Sequence, residues 1–209
     1  DLIGQWAKDD PKVLEESVSA IQKEAQSMTG LTENLLFLAR SDAGRLKLRK
    51  ADVPVAALLQ EVAAESRLIA PDHPFDCEAP EGLLPCADRR LLTQALRALV
   101  DNAVKYTPAG GSIRLRSAEK AGSIELTVAV SGIGIPEKDL PHIVDRFYRV
   151  DKDRSREKGG SGLGLAIVRS IVQAHHGDIR IRSGAERGTA VTMILPSDGP
   201  DAAFAKRPV

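Results

Sequence analysis

Aromatic side chains are scarce in this 209-residue chain, at 3% of the residues with a single tryptophan. Hydrophobic content is nevertheless 43%, so the core must be aliphatic, and it is large enough for one domain with a smaller appendage. An excess of charge of one sign is lacking too. Lys and Arg together number 29, as do Asp and Glu, and the net charge is zero. That balance removes the basic field that would recruit nucleic acid or an anionic membrane, and neither partner is expected. The two cysteines, Cys77 and Cys86, fit no metal spacing. They read as reduced residues of a cytosolic protein, with a bridge as the open alternative. No apolar run approaches the roughly 20 residues of a membrane span, and no signal peptide is apparent. The chain begins at Asp1, in what reads as the middle of a structured region. It is expected to be a piece of a longer protein.

What is present is periodic. After Asp9-Asp10-Pro11, a helix-start signal, Leu14, Ile21, Met28 and Leu35 recur every seven residues, with Val18, Ala25, Leu31 and Leu38 on the same face. Such heptads predict a helix that packs along another helix, or else a long core-facing helix. Asp1–Trp6 would be the tail of a preceding helix. The pattern stops at Ser41–Gly44. Arg45–Lys50 then alternates like a half-buried strand, and Asp52-Val53-Pro54 opens a helix to about Ile69. Phe75–Ala79 and Leu83–Ala87 read as strands joined near Gly82, and Asp88 opens a helix to Tyr106. Strands are expected at Gly110–Ala118, Ser123–Val130, Asp178–Arg182 and Thr189–Leu195, with helices at Pro136–Val144 and Gly162–His175. The expected fold is α+β, a two-layer sandwich with helices on one face of a mixed sheet. Its domains are 1–44, a partial helical hairpin; 45–196, the sandwich; and 197–209, a disordered tail.

Three stretches carry candidate chemistry. In Gly159–Val168, three alternating glycines, Gly160, Gly162 and Gly164, run into an apolar helical pattern. Unpaired N–H groups at such a helix start can donate to an anion, although a flexible loop before a core helix is the competing reading. In Ala98–Thr107, Asn102 and Lys105 stand three apart on one helix face. There an amide oxygen and an ammonium can serve a hydrated Mg²⁺ and a phosphate, or simply solvate a helix end. Ser131–Pro136 places Gly132, Gly134 and Ile135 in a turn directly after a strand, where backbone can close on a flat ligand.

In order and spacing these stretches resemble the ATP-binding catalytic domain of sensor histidine kinases, within the Bergerat-type ATPases. Asp101–Pro108 matches the N box, Asp145-Arg146-Phe147-Tyr148-Arg149-Val150-Asp151 the F box and Gly160–Leu165 the second glycine box. Leu14–Asp42 resembles the second helix of the dimerisation and histidine-phosphotransfer hairpin. The resemblance implies ATP and Mg²⁺ as cofactors, with Asn102 as the metal ligand, Lys105 on phosphate and Tyr106 against the nucleotide. Gly160, Gly162, Leu163 and Gly164 would wrap the triphosphate, and Thr189 would lie near adenine. Tyr148–Gly160 would form a lid, whose Tyr148, Arg149, Arg154, Arg156 and Lys158 close over the phosphates. It implies a homodimer through the helical hairpin, a response-regulator partner, and a cytoplasmic location with the parent anchored in a bacterial membrane.

Two departures modify that picture. Val130 occupies the position where the first glycine box carries an adenine-binding aspartate. Valine accepts no hydrogen bond, so nucleotide binding is expected to be weakened by about 1.5–3 kcal/mol, ten- to a hundredfold in affinity. Ala98 stands where many members carry a further asparagine. The second departure is that none of His73, His142, His175 and His176 has the acidic-neighbour helical context of a phosphoacceptor. The chain is therefore expected not to phosphorylate itself. A non-catalytic dimerisation or partner-binding module derived from such a kinase is the alternative that Val130 favours.

Overall fold

In the computed structural model, which describes residues 11–150, 160–184 and 188–197, the chain begins with a 32-residue helix, α1 (Pro11–Asp42). Most of its heptad stripe, including Leu14, Ile21, Met28 and Leu35, is exposed. Near its C-terminal end α1 joins the rest of the molecule, with Leu38 buried and Phe37 packed against the core. Then come β1 (Ala51–Pro54), α2 (Val55–Ile69), β2 (Phe75–Glu78), β3 (Leu83–Ala87) and α3 (Arg89–Tyr106). Strands β4 (Ile113–Lys120) and β5 (Ser123–Val130) precede a 3₁₀ turn at Glu137–Asp139. Helix α4 (Gly164–Ala174) and strands β6 (Asp178–Gly184) and β7 (Gly188–Pro196) follow.

The main sheet has the order β2-β4-β5-β7-β6, parallel between β2 and β4 and antiparallel elsewhere. Alternation along its strands makes the layers. Ile113 and Leu115, Leu126 and Val128, and Val191 and Met193 point into the core, where α2, α3 and α4 cover them. The opposite face carries polar cross-strand pairs instead: Thr127 with Thr192 at 2.9 Å, and Arg180 with Glu125 at 3.2 Å. The α+β two-layer sandwich is therefore as expected.

Several local expectations change. Arg45–Lys50 forms no strand, although Leu46 and Leu48 do pack against the core. Alternation reports which side chains face inward, but a strand also needs a partner, and β3 reaches only as far as Ala51. Asp52–Pro54 belong to β1, and the helix starts at Val55. The strands on either side of Gly82 do not pair with each other. β3 joins β1 in a separate two-stranded sheet, while β2 lies beside β4. Pro136–Val144 holds a single 3₁₀ turn followed by irregular turns, since Pro141 would cost a continuing helix a hydrogen bond. The preceding helix expected at Asp1–Trp6 and nearly all of the 197–209 tail lie outside the described residues. Neither Cys77 nor Cys86 is in a disulfide.

One polar knot ties the start of α3 to the end of α4 and to the segment before β1. Asp88 is buried. Its carboxylate caps α3 through the Leu91 N–H at 3.1 Å and accepts the Arg49 N–H at 2.8 Å. The Asp88 N–H donates to His175 Nε2 at 2.9 Å, and His175 Nδ1 donates to the Ile171 carbonyl at 2.8 Å. This imidazole is thus neutral and bonded at both nitrogens, at the end of α4. Burial pushes its pKa below the ordinary 6.5, against the opposing pull of the Ile171 carbonyl and Asp88. Below pH 6.5 the unfolded chain takes up a proton that folded His175 resists. Its contribution to stability is therefore complete above that pH and shrinks as the pH falls toward the folded pKa. The His175→Gln variant should have a lower urea midpoint at pH 7.5 and a shallower decline toward pH 5.5 than the parent. His175→Ala, which leaves the Asp88 N–H without an acceptor, should lose about 1–3 kcal/mol.

Candidate functional site

A cavity of about 610 Å³ opens between α3, the turn after β5, the start of α4 and the edge where β5 meets β7. α3 forms one wall. Its apolar side, with Leu92 and Leu96, is buried against the core, while Leu99, Asp101, Asn102, Ala103, Lys105 and Tyr106 line the cavity. Lys105 Nζ donates to Asp101 Oδ2 one turn earlier at 2.7 Å, holding the ammonium along this wall.

The glycine loop forms the facing wall, and each glycine there meets a different neighbour. A Cβ on Gly164 would lie 3.3 Å from Asn102 Nδ2, and one on Gly160 would lie 3.5 Å from the Tyr106 hydroxyl. Gly162, at φ +70°, sits against the backbone of Phe147. A Cβ there would come within 2.9 Å of Phe147 Cα, and the Phe147 N–H donates to the Gly162 carbonyl at 2.9 Å. This close approach ties the F-box stretch to the loop. α4 then begins with no side-chain cap and no acidic residue in its first turn, so its N-terminal N–H groups and positive dipole end are left for an anion. Leu163 differs from its neighbours: its side chain is fully buried in the core and is not on the cavity wall. It anchors the loop from beneath.

The other end of the cavity is largely apolar, with Val128, Val130, Ile135 and Val191 in its walls. Gly132 packs under α3, where a Cβ would lie 3.0 Å from the Tyr106 carbonyl, and Gly134 takes φ +74°. Val130 pairs with Thr189 across β5 and β7, and Gly188 fits against the Val130 carbonyl because it has no side chain. The polar groups here are joined through Ser183, which the sequence reading missed. Its hydroxyl accepts the Ile135 N–H at 2.7 Å and lies 2.7 Å from Thr189 Oγ1. Only the pairing of β6 with β7 brings Ser183 to this place, and no local motif marks it.

Tyr148 and Arg149 also line the cavity. The Tyr148 hydroxyl donates to Asp139 Oδ1 at 2.7 Å, a bond that raises the phenol pKa and fixes this end of the expected lid. Arg154, Arg156 and Lys158 lie outside the described residues. The structure thus brings together Asn102, Lys105, Tyr106, Val130, Gly132, Gly134, Ile135, Tyr148, Arg149, Gly160, Gly162, Gly164 and Thr189 around one space. Ser161 and Leu165 of the glycine box line it as well, and further wall residues came unannounced by motif, among them Ile143 and Asn34 of α1. No cluster of three His, Cys, Asp or Glu able to hold a metal occurs among the described residues. One amide oxygen, from Asn102, beside an anion-binding helix end suits a hard cation that keeps its waters and arrives with phosphate oxygens.

Comparison with known proteins shows the family. Residues 87–199 match the family described as histidine kinase-, DNA gyrase B-, and HSP90-like ATPase. The chain is 39% identical over 198 residues to the sensor histidine kinase YkoH of Bacillus subtilis, covering 92% of this chain and 42% of that protein. It is 34% identical to the signal transduction histidine-protein kinase ArlS of Staphylococcus aureus, covering 93% of this chain and 44% of the relative. The chain therefore spans less than half the length of these relatives. Among solved structures, full-length ShkA in complex with AMPPNP superposes with a TM-score of 0.73 at 26% identity, over 87% of this chain and 38% of that one. The histidine kinase AdeS of Acinetobacter baumannii shares the fold with a TM-score of 0.75 at 23% identity, over 94% of this chain and 90% of that one.

The glycine contacts predict a graded pair of variants. Gly162→Ala adds a Cβ at positive φ against immovable backbone and should lower stability by about 1–3 kcal/mol in thermal or urea unfolding. Gly164→Ala meets only the end of the Asn102 side chain, so it should leave stability nearly unchanged while weakening binding of Mg·ADP by about tenfold in calorimetry.

Proposed function

The chain belongs to the histidine kinase-, DNA gyrase B-, and HSP90-like ATPase family, and from this we propose that it is the ATP-binding catalytic portion of a two-component sensor histidine kinase. The observation that carries the reading is one cavity walled by Asn102 and Lys105 of α3 and by the glycine loop at the start of α4. In this reading α4's N-terminal N–H groups and Lys105 hold the triphosphate, and the Asn102 amide oxygen ligates the Mg²⁺ that accompanies it. Bound Mg²⁺ neutralises phosphate charge. Gly132, Gly134 and Tyr106 bound the base, and Tyr148 and Arg149 begin the lid that excludes water. Catalysis by such a site is positioning and charge neutralisation, which aim the γ-phosphate at a histidine and, in the parent, supply it onward to a response-regulator aspartate.

The domain division follows the same reading: residues 1–44 belong to the dimerisation and phosphotransfer hairpin, 45–196 to the catalytic domain and 197–209 to a tail. α1's exposed heptad stripe would be covered in a homodimer. The chain works in the cytoplasm in this reading, from a membrane-anchored parent. No helix among the described residues is long and apolar enough to cross a membrane.

Val130 modifies the proposal. With valine in an apolar pocket end, the adenine amino group lacks a carboxylate partner, so binding rests on the phosphates. The same residue favours a second reading, a partner-binding module that no longer uses nucleotide. Titration of Mg·ADP into the parent and a Val130→Asp variant separates the two. The proposal expects weak binding by the parent and a gain of about ten- to a hundredfold in the variant; no gain would sink this account of Val130. Incubation with radiolabelled ATP should label no histidine of this chain, since His175 is buried with both nitrogens bonded and the others lie in loops or at a helix end. For the dimer, Ile21→Asp combined with Met28→Asp should shift sedimentation from dimer to monomer without loss of the catalytic domain's unfolding transition.

A further inference from the structure

Asn34 has no part in the motifs, yet it lines the same cavity from α1, a helix outside the sandwich. Its place there is determined by its neighbours. Residues 34, 38 and 42 recur every four positions and so form one face of α1. Leu38 on that face is buried in the domain core. Asp42 on the same face is bonded to Arg146 of the F-box stretch, with Arg146 Nη2 donating to Asp42 Oδ1 at 2.6 Å. An apolar anchor one turn away and an ion pair two turns away therefore turn Asn34 toward the cavity. α1 packs against α4, whose first turn is the proposed phosphate seat, and Arg146, bonded to Asp42, is next in sequence to Phe147, whose backbone abuts Gly162 of the glycine loop; α1 is thereby joined to the elements of the phosphate end. Gln94 and Ala98 of α3 line this cavity too. Ala98 sits one turn before Asn102 and supplies only a methyl group, which leaves α3 with a single asparagine amide in the wall.

We propose that Asn34 is a nucleotide-contacting residue: its side-chain amide donates to the terminal phosphate of bound Mg·ATP, so that α1 completes the phosphate end of the site. This rests on the nucleotide reading of the cavity. A phosphate oxygen is charged, and a hydrogen bond to it is among the stronger kinds. The chemistry also makes a distinction that a merely supporting residue would not. A donor to the terminal phosphate discriminates ATP from shorter ligands, whereas a residue that only props α1 affects all of them alike.

The test is calorimetric titration of Mg·ATP, Mg·ADP and adenosine into the chain and its Asn34→Ala and Asn34→Asp variants. Asn34→Ala should weaken Mg·ATP by about tenfold while leaving adenosine unchanged. Asn34→Asp should weaken Mg·ATP further, because a carboxylate then faces the phosphates. Thermal unfolding of both variants should match the parent, since residue 34 is only half-buried. Unchanged Mg·ATP affinity in Asn34→Ala would overturn the inference, as would an equal loss for adenosine. If the parent binds Mg·ATP and Asn34→Ala does not discriminate, the inference alone fails. If the parent binds no nucleotide, the functional reading fails with it.

Discussion

The contact between Gly162 and the backbone of Phe147 is the constraint on which the site depends. Two segments far apart in function meet there without any side chain between them, and the hydrogen bond from the Phe147 N–H to the Gly162 carbonyl locks the approach. Once Gly162 is fixed, Gly164 is delivered against Asn102 and α4 starts with its N–H groups facing the cavity. Buried Leu163, between the two glycines, holds the loop down from the core side. A loop held this way has little conformational entropy left to lose when an anion binds, which is the physical content of preorganisation.

The cavity is unequal from end to end. Around Asn102, Lys105 and the helix start it offers donors, an amide oxygen and a cation; around Val128, Val130 and Val191 it is apolar, with Ser183 and Thr189 bonded to each other. A ligand with a charged end and a flat apolar end fits that polarity. In the proposed nucleotide reading, the apolar end would enclose the base without strongly pairing with it, so specificity for one base over another is expected to be poor while the preference for phosphates is retained. Val130 makes this asymmetry sharper than a full set of motifs would have.

α1 connects the site to the rest of any assembly. One face of it carries Leu38 into the core, Asp42 to Arg146 and Asn34 to the cavity, while its heptad stripe remains exposed. A helix so divided couples whatever covers the stripe to the geometry of the cavity, because a rotation of α1 that improved one contact would disturb the other. The ion pair at its end joins two exposed groups and is weak by itself. Leu38, with Phe37 beside it, supplies the apolar attachment.

Much of the site was readable from residues alone. The glycine alternation, the polar end of an apolar helix and the turn after β5 are local patterns, since they report φ preferences and helix faces that neighbours in sequence determine. The heptads of α1 likewise marked an apolar stripe, expected to pack along another helix or the core, which the structure leaves mostly exposed. What local pattern could not supply was pairing. Arg45–Lys50 alternates yet finds no partner strand, and the strands flanking Gly82 part into different sheets. Ser183 reaches Ile135 and Thr189 of the cavity wall only through the register of β6 on β7, and Asn34 reaches the cavity through the seating of Leu38. His175 looked like a helix end and proved also to be the acceptor for Asp88, 87 positions away in sequence. The sequence by itself determined which groups could do chemistry, because side-chain type and local spacing are written residue by residue. Tertiary structure decided which of them meet, because close packing and the need to satisfy every buried N–H and C=O act between segments that no local pattern relates.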